Sequence, residues 1–186
     1  MTNDTLLLRP WQADDVAALH AGVRESLDSL GRWFPWAHPA YSMDDTRAWV
    51  DFCTGQWAAK REYPFGIFAR DTGEVLGGAG INQLSTLHRS GNLGYWVRTS
   101  RRGQGIAAAA TRLAARFGFE TAGLVRLEIV AAVDNVASRR SAERAGAQFE
   151  CVARHRLVIH GVPRAAAVYS LIPEDLAAVG PGGAGP

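Results

Sequence analysis

The sequence predicts an α/β fold: a mixed, mostly antiparallel sheet of about seven strands with four helices and a central βαβ unit. Two observations support this. Short β-rich runs bounded by glycine or proline alternate with stretches of helical periodicity, in the order βααββ, βαβα, ββ. In mid-chain a strand, a glycine loop, a helix and a second strand follow one another, which favours a parallel pair, whereas the flanking hairpins make the rest antiparallel.

The first part of the chain predicts one strand and two helices. The run TLLLRP is a short strand closed by Pro10, and ADDVAALHAGV follows as a helix whose acidic first turn suits the helix dipole. A second helix is predicted in MDDTRAWVDFCTGQWAAKRE, with Asp44 or Asp45 as its N-cap. The aromatic segment GRWFPWAHPAYS, bent by Pro35 and Pro39, separates the two helices.

The middle of the chain predicts a hairpin and the βαβ unit. Two strands in FGIFARDTGEVLGGAGINQL meet at a turn from Asp71 to Glu74. The strand GNLGYWVR comes next, then the helix GQGIAAAATRLAARFGFE, then the strand VRLEIVAAVD. The helix buries one face, because its apolar residues recur at helical spacing: Ile106, Ala109, Ala110, Leu113, Ala114 and Phe117.

The last part predicts a capped helix and a second hairpin. The helix NVASRRSAERAG begins at an N-cap, Asn135, and ends at Gly146, which suits a left-handed C-cap. The strands FECVARHRLVI and RAAAVYSLI turn at His160 and Gly161. We expect residues 1–173 to form one domain and residues 174–186 to form a short helical turn and a disordered Gly/Pro tail.

Composition excludes several function classes. The chain has 186 residues, is 47 % hydrophobic and carries a formal charge of +2, which is too weak and too dispersed to indicate nucleic-acid binding. Its two cysteines form no CxxC or metal-ligand pattern, so we expect no metal and a reducing compartment. Because the sequence lacks a signal-peptide pattern and any apolar run near the ~18 residues of a membrane span, it predicts a cytoplasmic protein without a membrane partner.

The stretch SRRGQGIAAAA predicts an anion site at a helix N-terminus. Unpaired backbone N–H groups and the helix dipole favour negative charge there, and Arg101 and Arg102 add positive charge. Gly103 and Gly105 allow the backbone to approach an anion. A purely structural glycine loop remains an alternative.

Two common phosphate-binding motifs fit this loop poorly. A P-loop needs a Lys-Ser/Thr pair after its second glycine, but Ile106 and Ala107 stand there. The dinucleotide fingerprint normally opens the first strand-helix unit, whereas this loop lies in mid-chain, and Asp134 comes late for the ribose contact. A third option, the pyrophosphate of coenzyme A, is implied by a family resemblance of the loop.

Several motifs resemble those of the GNAT acyltransferase superfamily. RRGQGIA is similar to its acyl-CoA loop, Arg/Gln-x-x-Gly-x-Gly/Ala, and DNVASRRSAERAG is similar to its Asn-x-x-Ser segment. The resemblance spans residues 5 to 172. Within the superfamily, LGRWFPWAHP, LGYWVRTSRRGQGIA and VYSL resemble the Rim-type ribosomal-protein N-acetyltransferases.

The resemblance implies a GNAT-like fold and an acetyl-CoA-dependent N-acetyltransferase that transfers the acetyl group directly to a primary amine, with a protein or peptide N-terminus favoured. It implies that the end of the strand at Val97 pairs with the pantetheine arm and that the Val97 N–H faces the thioester oxygen. Ser138 would protonate the leaving sulfur. The implied CoA contacts are Val97, Arg98, Arg102, Gly103, Gln104, Gly105, Ile106, Ala107, Ala108, Asn135 and Ser138.

The general base is less evident in the sequence. Leu157 and a run of three alanines from Ala165 stand where some Rim-type relatives carry acidic or histidine residues. Glu128 is the best remaining carboxylate and could act through water, although it could equally be an arginine's structural partner. His155 and His160 are weaker candidates. A dedicated base is dispensable, since an α-amine with a pKa of ~8 is partly neutral already.

The aromatic segment between the first two helices offers candidates for the acceptor site. Trp33, Trp36 and Tyr41 could wall that site, or could form a core lid with Phe34. Alternatives to a protein N-terminus are a small-molecule amine or a longer acyl-CoA, and a non-catalytic CoA-binding module. The acceptor, the base and the oligomeric state, a homodimer included, stay open.

Overall fold

The computed structural model describes residues 1–178, and the tail predicted to be disordered lies mostly outside these residues. Seven strands form one sheet in the order β1-β2-β3-β4-β5-β7-β6. Their bounds are Leu6–Pro10 (β1), Tyr63–Ala69 (β2), Val75–Ser85 (β3), Ser90–Val97 (β4), Arg126–Ala132 (β5), Gln148–Ile159 (β6) and Val162–Leu171 (β7). All neighbours are antiparallel except β4 and β5, which confirms the predicted mixed sheet.

The predicted helices are present in the predicted order. They span Val16–Leu30 (α1), Met43–Ala59 (α2), Ile106–Glu120 (α3) and Val136–Arg144 (α4), and a short fifth helix spans Pro173–Ala178 (α5). A 3₁₀ turn, Ala13–Asp15, precedes α1, and another, Thr99–Arg101, follows β4. The βαβ unit is therefore β4, α3 and β5.

The parallel strands β4 and β5 separate soon after they meet. Only Ser90–Asn92 of β4 pair with Arg126–Glu128 of β5, yet β4 continues to Val97 and β5 to Ala132. On the side where the two strands diverge, the backbone N–H and C=O groups of each strand have no partner strand. A gap therefore opens in the middle of the sheet, at the end where α3 and α4 begin.

Helices cover the two faces of the sheet unequally. On one face, α3 packs through Ile106, Ala110 and Leu113 into a core with Leu93 and Ile129. On the other face, α1 and α2 cover the β1–β4 half, where their buried residues form a second cluster with Phe68 and Val75. The two cores hold β4 rigidly from both sides.

The local signals in the sequence are mostly correct, with one correction. Asn135 caps α4, since its Oδ1 accepts from the Ser138 N–H at 3.2 Å, and Gly146 follows the helix with φ 97°. The predicted N-cap of α2 is wrong, because Ser42 holds that position. The Ser42 hydroxyl accepts from the Asp45 N–H while Asp45 accepts from the Ser42 N–H, so Asp45 is the third helical residue of a capping box.

No helix within residues 1–178 is long and apolar enough to cross a membrane. Among the same residues, no group of three or more His, Cys, Asp or Glu side chains converges in a way that could hold a metal ion.

Candidate active site

The gap between β4 and β5 is the mouth of a cleft of about 630 Å³ that passes from one face of the sheet to the other. The cleft has two arms, one on each face of the sheet, because successive side chains of β4 point to opposite faces. Leu93 belongs to the core on the α3 side and Trp96 to the cluster on the α1 side. We call the part lined by α3, α4 and the loop before α3 the α3–α4 arm. The part lined by Asn82, Asn92, β6 and the segment after α1 is the α1 arm.

The glycine loop forms the rim of the α3–α4 arm. Gly103 and Gly105 have φ of 76° and 75°, and a Cβ at either position would meet no other protein atom within 4 Å. Glycine is therefore favoured by the left-handed backbone and not by protein crowding. Gly103, Gly105, Ile106, Ala107 and Ala108 line the cleft, whereas Gln104 is exposed on the loop between the glycines.

Of the three arginines next to the loop, only two reach the cleft. The Arg98 side chain turns away to the carboxylates of Glu25 and Glu74 and is not among the cleft residues of the described chain. The guanidinium therefore has a structural role, and the CoA contact expected at Arg98 stays a prediction. Arg101 lines the cleft while bonding Glu74 at 2.5 Å, and Arg102 lines it with its Nη2 on Ser29 Oγ at 2.7 Å.

The polar edge of α1 fixes the shape of the loop. Glu25 accepts from the Ser100 N–H at 2.7 Å and bonds the Arg98 guanidinium, and the Ser26 hydroxyl accepts from the Thr99 N–H at 3.0 Å. Hydrogen bonds from Arg98 and Ser100 lower the pKa of Glu25 to about 2. The carboxylate is thus charged at neutral pH and holds the turn that leads into the loop.

The backbone N–H and C=O of Val97 face the gap. The Arg98 N–H donates to the Leu76 carbonyl of β3 at 2.9 Å, and successive residues of a strand direct their N–H and C=O to opposite sides. The N–H and C=O of Val97 therefore point away from β3. The Arg102 Nε, which lies 3.4 Å from the Val97 oxygen, is consistent with this direction. An extended chain in the gap could pair with Val97 as an added strand would.

Ser138 and Asn135 both line the cleft at the start of α4. Tyr95 of β4 meets Ser138 across the gap, since its hydroxyl donates to the Ser138 carbonyl at 2.8 Å and lies 3.4 Å from Ser138 Oγ. Burial raises the pKa of Tyr95 to about 12, so its hydroxyl stays protonated. The sequence alone did not single out Tyr95.

Two further arginines, Arg140 and Arg144, line the α3–α4 arm and were not predicted from the sequence. They lie one turn apart on α4, and neither has a carboxylate within 4.0 Å among the described residues. Arg139 instead turns to the sheet, where it bonds Tyr169 at 3.2 Å. The segment SRRSAER shows that α4 is rich in arginine, but which arginines face the cleft depends on how the helix is rotated about its axis.

Glu128 lies apart from the cleft surface. Its carboxylate is 3.1 Å from Arg126 Nη2 and 3.8 Å from Arg156 Nη2, and it is not one of the cleft residues within the described chain. The geometry favours the alternative of an arginine's structural partner over a base. Leu157 lines the cleft where some relatives carry a glutamate, and among the described lining residues none is Asp, Glu or His.

The aromatic candidates divide into three environments. Trp33 lines the α1 arm beside Phe34. Tyr41 is only 8 % exposed and stacks on His20 in the core between α1 and α2, so its predicted place in the acceptor wall is corrected. Trp36 is 41 % exposed and stacks on Phe34 outside the cleft lining of the described residues.

The tip of the last hairpin forms one wall of the α1 arm. His160 Nε2 lies 2.6 Å from the Gly31 carbonyl, and because a carbonyl can only accept, Nε2 donates. This bond ties the β6–β7 turn to the end of α1. Leu157, Val158 and Ile159 thereby face Trp33 and Phe34 across the arm.

Comparison with known proteins decides the family. A model of the acetyltransferase (GNAT) domain matches residues 5–148. The ribosomal-protein-serine acetyltransferase of Escherichia coli is 31 % identical over 146 residues, which cover 77 % of this chain and 79 % of that protein. The chain belongs to the GNAT acetyltransferase family.

Solved structures of Rim-type GNAT proteins share the fold. RimJ of Mycobacterium smegmatis, solved with a CoA disulfide, is 25 % identical with a TM-score of 0.80 over 94 % of this chain and 87 % of that one. RimL, a ribosomal L7/L12 α-N-protein acetyltransferase solved with coenzyme A, has a TM-score of 0.82 at 24 % identity over 91 % and 95 % of the two chains.

The protein is therefore a Rim-type GNAT N-acetyltransferase with acetyl-CoA as its acyl donor. The residues present fit this donor. The α3–α4 arm offers a glycine loop at a helix N-terminus and four arginines, Arg101, Arg102, Arg140 and Arg144. It also offers the outward peptide group of Val97, which suits an amide-bearing chain.

Proposed function

We propose that this GNAT protein acetylates the N-terminal amine of a protein or peptide by direct transfer from acetyl-CoA, within a single domain over residues 1–173 and in the cytoplasm. One observation carries the proposal. The cleft is lined from both faces of the sheet, with arginines and the glycine loop on one side and an apolar, aromatic arm on the other. Two substrates can therefore enter from opposite faces and meet at the gap.

The donor would occupy the α3–α4 arm. The amides from Gly103 to Ala108, with Arg102 and the start of α4 at Asn135, would hold its pyrophosphate, and the Val97 peptide group would pair with its pantetheine amide. The Val97 N–H would then lie next to the thioester carbonyl and stabilise the oxygen as negative charge develops on it.

The transfer needs no covalent enzyme intermediate. The amine nitrogen forms a bond to the carbonyl carbon, the carbon–sulfur bond breaks, and one amine proton leaves while the thiolate gains a proton. Ser138, beside the gap, would donate that proton or a hydrogen bond to the sulfur. Because a thiol has a pKa near ~8.5, the thiolate leaves readily and this contribution is modest.

The acceptor would enter through the α1 arm between Trp33, Phe34 and the β6 residues from Leu157 to Ile159. These side chains exclude water from the thioester and favour the neutral amine. Since no carboxylate or imidazole lines the described cleft, the proton of the amine would pass to water. An N-terminal α-amine with a pKa of ~8 suits such a site better than a lysine amine with a pKa of ~10.4.

The test is thiol release from acetyl-CoA with a panel of N-terminal peptides, lysine side-chain analogues, polyamines and aminoglycosides. We expect release with peptides that have a free α-amine, and none with the same peptides blocked at the N-terminus. Release only with small-molecule amines would overturn the choice of acceptor. Acetyl-CoA binding without release with any amine would favour a non-catalytic CoA-binding module.

A further inference from the structure

Arg156 is the one charged cleft residue that β3, β4, β6 and the segment after α1 contribute to the α1 arm within the described chain. The rest of that arm is apolar, as at Trp33 and Leu157, or carries neutral amides. Asn92 Nδ2 donates to Asn82 Oδ1 at 2.9 Å, so these amides partly satisfy each other. The charge that an acceptor meets at close range is therefore positive.

The environment of Arg156 leaves its guanidinium able to bind a further anion. Its nearest carboxylate, Glu128, is 3.8 Å away, and the Arg156 side chain is 37 % exposed. Glu128 is also bonded by Arg126 at 3.1 Å, and Arg126 makes a two-pronged contact with Glu150 at 2.7 and 2.6 Å. Among these four charged groups, only Arg156 reaches the cleft surface.

Two features of β6 position this side chain. The strand is irregular between Ala153 and Leu157, and His155 within that bulge has φ 49°. The bulge changes the direction of successive side chains, so that Arg156 and Leu157 both line the cleft. Arg154, on the other side of His155, is exposed and does not.

We infer that the acceptor carries a carboxylate close to its reacting amine, and that Arg156 binds it. The chemical class is a peptide N-terminus with Asp or Glu at its second residue. A polyamine or an aminoglycoside would bring several positive charges into an arm that holds a guanidinium and, among its described lining residues, no carboxylate. This inference rests on the proposed function and specifies its acceptor.

The first test compares three peptides that differ only at the second residue: Asp, Asn or Lys. An ion pair of this partly exposed kind is expected to give the Asp peptide roughly tenfold higher kcat/KM than the Asn peptide, and the Lys peptide a lower value still. The Asp-to-Lys ratio should fall as salt is raised, because added ions screen the pair. Equal values, or a preference for Lys, would overturn the inference.

The second test uses a matched pair of variants. Arg156→Gln should bring the Asp and Asn peptides to the same kcat/KM within about twofold, whereas Arg154→Gln, an identical change two residues away, should keep the wild-type ranking. Glu128→Gln should strengthen the preference for Asp, since it removes the carboxylate that competes for Arg156. A ranking that survives Arg156→Gln would assign the preference to other residues.

Calorimetric titration of acetyl-CoA into the same variants separates this inference from the proposed function. Arg156→Gln should bind acetyl-CoA as the wild type does, because Arg156 lies in the other arm. Thiol release with every peptide, irrespective of charge, would overturn the inference and leave the proposed function standing. Absence of release with any amine would overturn both.

Discussion

At the scale of single residues, the contact between Tyr95 and Ser138 is the feature most closely connected with the chemistry. Their oxygens are 3.4 Å apart across the gap between β4 and α4. With its pKa raised to about 12, Tyr95 keeps its proton and donates it in a hydrogen bond to the Ser138 carbonyl. In the proposed reaction Tyr95 would position Ser138, and Ser138 would reach the sulfur of the donor.

Ser138→Ala is expected to lower kcat by about tenfold while leaving the Kd of acetyl-CoA nearly unchanged, because the hydroxyl assists a leaving group that is already good. Tyr95→Phe should give a smaller decrease in kcat. Steady-state kinetics and calorimetric binding of acetyl-CoA separate the two effects. An unchanged kcat in Ser138→Ala would remove Ser138 from the reaction.

At the scale of elements, α1 supports the glycine loop without being part of it. The bonds from Glu25 and Ser26 to the turn after β4 join residues more than 70 positions apart. Arg98 completes this contact by bonding Glu25 and Glu74 together. The position of the loop thus depends on how α1 packs on the sheet.

Glu25→Gln is expected to weaken the contact between α1 and the turn after β4, and the resulting loss of stability relative to the wild type is expected to depend on pH. The folded pKa of Glu25, about 2, lies below its ordinary 4.5, so its stabilisation is fully present above pH 4.5 and is lost as pH falls towards 2. The variant should melt at a lower temperature than the wild type at pH 7, and the difference should shrink below pH 4.5. A constant difference in Tm across that range would contradict the assignment.

The control for this variant is Asp44→Asn. Asp44 pairs with Arg47 on α2 at an N–O distance of 2.6 Å, and this pair is far more exposed than the Glu25–Arg98 pair. The substitution should change the Tm little at any pH. Glu25→Gln should also raise the KM for acetyl-CoA severalfold because the loop is less ordered, and Asp44→Asn should leave that KM unchanged.

Helix α4 presents Arg140 and Arg144 to the cleft at a spacing that disfavours like charges by about 0.2–0.5 kcal/mol in an isolated helix. An anion between them would reverse this cost. The 3′-phosphate of CoA is the charged group of the donor that the loop does not use, and we expect these arginines to bind it.

The double variant Arg140→Ala/Arg144→Ala should therefore lose discrimination between CoA and dephospho-CoA. Wild type is expected to bind CoA at least tenfold more tightly, measured by calorimetry, and the double variant should bind both alike. Arg116→Ala, on the outer side of α3 with its i+4 partner Glu120, should keep the wild-type ratio. Equal affinities in the wild type would show that the arginines serve another purpose.

At the scale of the whole molecule, the order of elements and the glycine loop could be predicted because their signals are local. Gly103, Gly105 and the Asn135 cap act within a few residues of themselves. The directions of long side chains could not be predicted. Arg98 turns from the cleft because α1 brings Glu25 to it, and Tyr41 is buried because His20 stacks on it.

The separation of β4 and β5 likewise has no local signal. The sequence indicates that the two strands are parallel, but not that only three residue pairs form before they diverge. That divergence depends on α3, α4 and the β6–β7 hairpin packing around the gap. It brings Tyr95, Ser138 and the glycine loop together, and it produces a cleft that is lined from both faces of the sheet.

The central claim is direct transfer of an acetyl group from acetyl-CoA to an N-terminal amine in this cleft. The most direct measurement is a single-turnover reaction with isotopically labelled acetyl-CoA and a peptide that has both a free α-amine and an internal lysine, followed by mass spectrometry of peptide and enzyme. We predict label on the α-amine, none on the lysine and none on the enzyme. Label on an enzyme residue that then passes to the peptide, or label only on the lysine, would contradict this account.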